Sequence, residues 1–181
     1  MTVAPDYIEP VVGWRVWAVS SSDAGLRLRS LMVDATWPTG RPFVARCRDR
    51  RHRLRRVWRA EPSAHEPPEW SCDCGIYATR EIADAVRYAK SYGDRHWTVL
   101  HRVVGRVSLW GSVLEYTDGW RAALAYPLEL LVPRVGPVQS PGAEAVADAL
   151  ADYGVRVEVV DGTGAGRFGQ ALPALPAWPP V

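Results

Sequence analysis

An α+β domain on an antiparallel sheet, with two main helices, is what this sequence predicts. Three observations carry that reading. Stretches rich in β-branched and aromatic residues recur near the start, through the middle and near residue 160. Two segments show helical apolar spacing that ends at a glycine. All three cysteines and the candidate ligand His65 lie within 28 residues, from Cys47 to Cys74, in a stretch with little periodicity of its own.

Val11-Val12-Gly13-Trp14-Arg15-Val16-Trp17-Ala18-Val19 reads as the first strand. Ser21, Ser22 and Asp23 then offer N-cap oxygens to a short element around Leu26, Leu28 and Leu31. Trp37-Pro38-Thr39-Gly40-Arg41-Pro42 is turn chemistry. From Thr79, an apt N-cap, the residues Ile82, Ala85, Val86 and Ala89 follow at helical spacing, and Gly93 stops the run. His96 to Tyr116 reads as one long strand or two, with Gly105 and Gly111 at bulges or points of close approach. Asp118-Gly119 is a two-residue hairpin signal between Leu114–Tyr116 and Trp120–Tyr126. Pro127 to Pro141 reads as a proline-punctuated connection, Ala143 to Tyr153 as a helix ending at Gly154, and Val155 to Val160 as a closing strand. Residues 1–160 are therefore expected to form one domain and 161–181 a Gly/Pro-rich tail.

Composition narrows the classes. With 48% hydrophobic residues, nine Trp and seven Tyr, the chain has ample material for a core. No apolar run nears the roughly 20 residues of a membrane span, and the start Met-Thr-Val-Ala-Pro-Asp lacks signal-peptide regions. The expectation is a cytoplasmic protein whose thiols stay reduced. Of the 22 basic residues only Lys90 is a lysine, and Asn is absent. GC-rich codon bias produces that pattern, so arginine abundance alone says little about nucleic acid.

The cysteines say more. Cys47, His65, Cys72 and Cys74 match the ligand count of a tetrahedral Cys₃His zinc site, which leaves no coordination position open for chemistry. Cys72 and Cys74 can share an ion if the turn is tight, and Gly75 supplies that freedom. A structural Zn²⁺ would also order the long segment 41–75, making it a zinc-clipped loop. The alternative for Cys47 is an ordinary buried thiol, and a thiolate at Cys72 or Cys74 activated by His65 is the catalytic alternative.

Inside that loop, Arg46, Arg48, Arg50, Arg51, Arg53, Arg55, Arg56 and Arg59 surround His52 and Trp58. Such a run suits either phosphate backbones or plain solvation. Trp14, Trp110, Trp120 and Arg121 are the candidate partner-binding residues, with Trp17 beside them along an aromatic groove. The glycines after Val160 do not form a dinucleotide loop, because Pro173, Pro176, Pro179 and Pro180 follow where a helix must start.

Cys74-Gly75-Ile76-Tyr77-Ala78 before a helix resembles the Gly-Ile-Tyr-Phe-Ala motif of ADP-ribosyltransferases of the poly(ADP-ribose) polymerase type, without its Phe. That resemblance implies nicotinamide dinucleotide chemistry, with Tyr77 stacking on the nicotinamide, Arg15 contacting phosphate or ribose, and Glu115 as the polarising carboxylate. Together with Gly13-Trp14-Arg15, Leu109-Trp110-Gly111 and Gly119-Trp120-Arg121-Ala122, the same motif is similar to small actinobacterial proteins that carry no functional assignment. The expectation from the residues themselves is a zinc-stabilised, non-catalytic binding module. Its partner is a protein, or nucleic acid through Arg46–Arg59.

Overall fold

The computed structural model describes residues 9–47, 65–91, 99–134 and 141–161, and every structural statement below refers to these. The elements in order are β1 (Val11–Ser22), β2 (Gly25–Arg29), β3 (Phe43–Val44), β4 (Ile76–Thr79), α1 (Ile82–Ser91), β5 (His101–Tyr116), β6 (Gly119–Arg134), α2 (Ala143–Leu150) and β7 (Arg156–Asp161). A single 3₁₀ turn, Ala151–Tyr153, follows α2.

The spine is the hairpin of β5 and β6, 16 residues each. β1 runs antiparallel along the other edge of β5, from Val11↔Leu109 to Val19↔His101. Three short strands share the free edge of β6: β4 against 119–122, β3 against 124–125 and β7 against 129–134. One pair, Trp14↔Thr79, joins β4 back to β1. The pairings β1–β5, β5–β6, β6–β4 and β4–β1 therefore close on themselves, which removes the open edge at that end of the sheet.

Both faces of the sheet are buried, so neighbours on one strand serve different cores. Val16, Val104, Leu131 and Val160 pack with Ile82, Ala85 and Val86 of α1. Trp17, Val19, Val103, Leu130 and Val132 pack on the other face with Val146 and Leu150 of α2 and with Tyr153. Fully buried Trp37 anchors that second core, edge-on to Trp17 at 5.4 Å and stacked on Phe43 at 4.7 Å.

Five sequence expectations change. Ser21–Asp23 caps no helix: β1 turns into β2 as a hairpin, with the Ser22 hydroxyl donating to Gly25 O and accepting from Ala24 N–H, and Gly25 at φ +91°. Thr79 is the last residue of β4 rather than the cap of α1, which starts three residues later, and its hydroxyl bonds the Trp14 and Glu81 carbonyls. The hairpin loop is Thr117–Asp118, closed by Tyr116↔Gly119, so the sequence signal is one residue out of register. Pro127 lies inside β6, not in a connection, because it meets a register shift opposite Val107, where a missing N–H costs no regular ladder bond. Pro133 is likewise within β6. Finally, β7 joins β6 in parallel, so the antiparallel sheet has one parallel strand. Gly93, His96 and the tail beyond Asp161 lie outside the described residues.

Candidate metal centre

Two independent anchors bring the four ligands together. Cys47 follows β3, which is tied to β6 by Phe43↔Ala125, Val44↔Leu124 and an Ala45 N–H bond to Ala123 O of 2.8 Å. Phe43 is itself held by its stack on Trp37. Cys72 and Cys74 precede β4, which pairs with 119–122 of the same strand, β6. The ladder on β6 thus sets the distance between Cys47 and the Cys72/Cys74 turn, and His65 comes in from the other side of Pro67–Pro68.

The ligand atoms of Cys47, His65, Cys72 and Cys74 all lie within 4.8 Å of one another. Cys47 Sγ and Cys72 Sγ are 3.7 Å apart, and His65 Nε2 is 3.2 Å from Cys74 Sγ. A disulfide at about 2.05 Å is excluded for that sulfur pair. A tetrahedron with metal–sulfur bonds of about 2.3 Å has a sulfur–sulfur edge near 3.8 Å. The four residues are placed to coordinate one metal ion. Cys74 is buried and the other three are half-buried.

Burial, reinforced by the neighbouring Cys72 and Cys47 thiols, pushes the Cys74 thiol up to about 11. A hydrogen bond from the Glu69 backbone pulls the other way without overcoming it. A nucleophilic cysteine needs a depressed pKa, so the protein alone does not make Cys74 reactive near neutral pH. A bound divalent cation would supply the stabilisation a thiolate needs there.

The Cys72–Cys74 turn is held from beneath by Arg121, the third residue of β6. Its guanidinium donates to the carbonyls of Cys72, Cys74 (3.2 Å) and Glu69 (3.2 Å) and to the Tyr116 hydroxyl. The Tyr77 hydroxyl donates to Asp73 O at 3.1 Å. Each backbone carbonyl from Cys72 to Cys74 thus has a side-chain donor. Gly75, at φ +121°, makes this possible, since a Cβ there would stand 3.1 Å from both the Arg121 stem and Pro68.

The predicted aromatic groove does not assemble as one surface. Trp14 packs on the α1 core, Trp120 packs on the α2 core beneath the Arg80 guanidinium, and Trp17 is fully buried. Trp110 is half-buried beside the Gly111 bulge, and Arg121 is only 3% exposed. The exposed aromatics next to the metal loop are Trp70, Tyr77 and Tyr116, with Trp70 and Tyr116 rings 5.2 Å apart. The sequence offers one clue to Tyr77, its place between buried Ile76 and Ala78 on a strand. Trp70 has none beyond its polar setting in Glu69-Trp70-Ser71.

Arg15, Tyr77 and Glu115 are not brought to one cleft. Arg15 donates to the Tyr77 carbonyl, not its ring side, and lies over Trp37. In the rows Tyr77↔Arg121↔Leu114 and Ala78↔Trp120↔Glu115, adjacent rows project to opposite faces, so Tyr77 and Glu115 point away from each other. Glu115 pairs instead with Arg80. Of the arginine run only Arg46 is among the described residues, where it lines a groove of about 980 Å³ between the 33–46 stretch and the 71–76 turn. No helix there is long and apolar enough to cross a membrane. No protein-family model, curated protein or solved structure matches this chain.

Proposed function

We propose that the protein is a zinc-stabilised, non-catalytic binding module of the cytoplasm, and that it meets a protein partner through the surface around its metal loop. The closed set of four Cys/His ligands supports this reading. Three thiolates and an imidazole favour zinc among common divalent ions, and they fill its tetrahedral shell. Trp70, Tyr77 and Tyr116, 56%, 40% and 38% exposed, supply the aromatic contact area that interfaces favour. Elemental analysis of the purified protein is expected to find one zinc per chain, and a strong chelator to lower the melting temperature by several degrees. Metal-free protein with the same melting curve would reject the reading.

A second reading has one observation in its favour. Cys47 and His65, whose ligand atoms meet at the centre, bracket a segment with seven arginines against Asp49 and Glu61. Binding of single-stranded RNA or DNA by that segment would weaken steeply between low and physiological salt. Flat or absent binding leaves the protein partner.

A further inference from the structure

We propose that Arg121 is the positioning residue of the metal centre, resting on the metal-site reading above, and that through Tyr116 it ties the centre to the exposed aromatic face. Three features separate Arg121 from an ordinary buried arginine. First, its hydrogen bonds converge on one turn: three of its four acceptors are the carbonyls of Glu69, Cys72 and Cys74, so one planar fork fixes the backbone of two metal ligands at once. Second, none of its hydrogen-bond acceptors is a carboxylate, and its Nε has no partner. A divalent ion with three thiolates and a neutral imidazole carries a net charge of −1. The Arg121 charge is the complement of that centre, and no carboxylate among the described residues accepts a hydrogen bond from it.

Third, the remaining N–H group leads outward. Arg121 bonds the Tyr116 hydroxyl and lies 5.1 Å from the Tyr116 ring and 5.6 Å from the Tyr77 ring. Tyr116 in turn contacts Trp70, which sits two residues before Cys72. Besides the short backbone link Trp70-Ser71-Cys72, a side-chain path from the ligand turn to the exposed indole therefore runs through the Arg121 guanidinium and Tyr116. Partners of metal ligands one step removed typically contribute 10–100-fold in metal affinity.

The deciding variant is Arg121→Lys, which keeps the charge and loses the fork. Zinc affinity is read by chelator competition, and geometry by the visible spectrum of the Co²⁺-substituted protein. The expected result is affinity weaker by about 10-fold or more, with a changed cobalt d–d band pattern. Tyr116→Phe removes only a hydroxyl and is expected to weaken zinc binding by about 3-fold, which keeps the test decisive if the Arg121 variant does not fold. Wild-type affinity and an unchanged cobalt spectrum in both variants would overturn the role of Arg121 while leaving the metal centre standing. A wild-type protein that takes up neither Zn²⁺ nor Co²⁺ would overturn the metal-site reading and this proposal together.

Discussion

Tyr153 shows how one hydroxyl can join three segments. It accepts from the Leu28 N–H at 3.0 Å and donates to the Trp37 carbonyl at 2.8 Å, both buried. Burial raises its pKa to about 12, so it is a neutral donor throughout the physiological range. Tyr153→Phe would orphan two buried backbone groups and is expected to cost about 1–3 kcal/mol, measured by urea unfolding. A loss within error would mean that water replaces the hydroxyl. His101 gives the pH dependence. Burial lowers its pKa below the usual 6.5, opposed only by Nδ1–H donating to Arg102 O. The unfolded chain therefore binds the proton more tightly than the folded one. Its contribution to stability is complete above about pH 6.5 and is lost as pH falls from there toward the folded pKa. Between about pH 8 and pH 5, His101→Phe should show a shallower fall in unfolding free energy than the wild type. Equal slopes would assign the acid sensitivity to other groups.

Glycines in β5 and β6 show what is legible at the scale of elements. Gly105 and Gly111 interrupt an otherwise β-branched run, and that interruption alone sets both apart as bulges or points of close approach. The fold gives them different roles. A Cβ at Gly105 would lie 2.0 Å from the Glu129 carbonyl oxygen, whereas Gly111 sits at φ +73° with no contact closer than 3.4 Å. Gly105→Ala must push β5 off β6 and should cost about 3 kcal/mol or more, while Gly111→Ala incurs only the left-handed backbone penalty of about 1–2 kcal/mol. Thermal unfolding of the two variants orders them, and the reverse order would contradict the register. The Asp118-Gly119 pattern makes Gly119 a turn residue, but a Cβ there would stand 2.1 Å from the Ala78 carbonyl oxygen, so it serves the approach of β4 instead. Local patterns locate strands and helices well. They fail where a long-range partner decides the outcome: Pro127 inside β6, Thr79 claimed by Trp14, and β7 parallel to β6. The ligand set is legible because four residues of two rare types, three Cys and one His, share one stretch. Arg121 as its support is not, because 47 residues separate it from Cys74.

Across the whole molecule, two kinds of stabilisation divide the work. β1, β5 and β6 bury Val16, Trp17, Val103, Val104, Leu130 and Leu131 on two cores that contain none of the four ligands. β3 and β4 are only two and four residues long, too short to persist on their own ladder bonds. They border the metal ligands, with Cys47 three residues after β3 and Cys74 two residues before β4. A bound ion would connect their outer ends, converting two marginal edge pairings into one cross-linked unit on β6. Metal removal should therefore act unevenly. In hydrogen exchange with and without chelator, the Ala45 amide and the amides of 76–79 should lose protection first, while those of 103–107 and 130–132 keep it. The β4–β1 junction at Trp14↔Thr79 should loosen with them, since one ladder pair and the side-chain bonds of Thr79 to Trp14 O and of Arg15 to Tyr77 O close the circuit there. Uniform loss of protection would show that the metal supports global folding instead. Unchanged protection at 76–79 would show that Arg121 and the β6 ladder hold the turn without an ion.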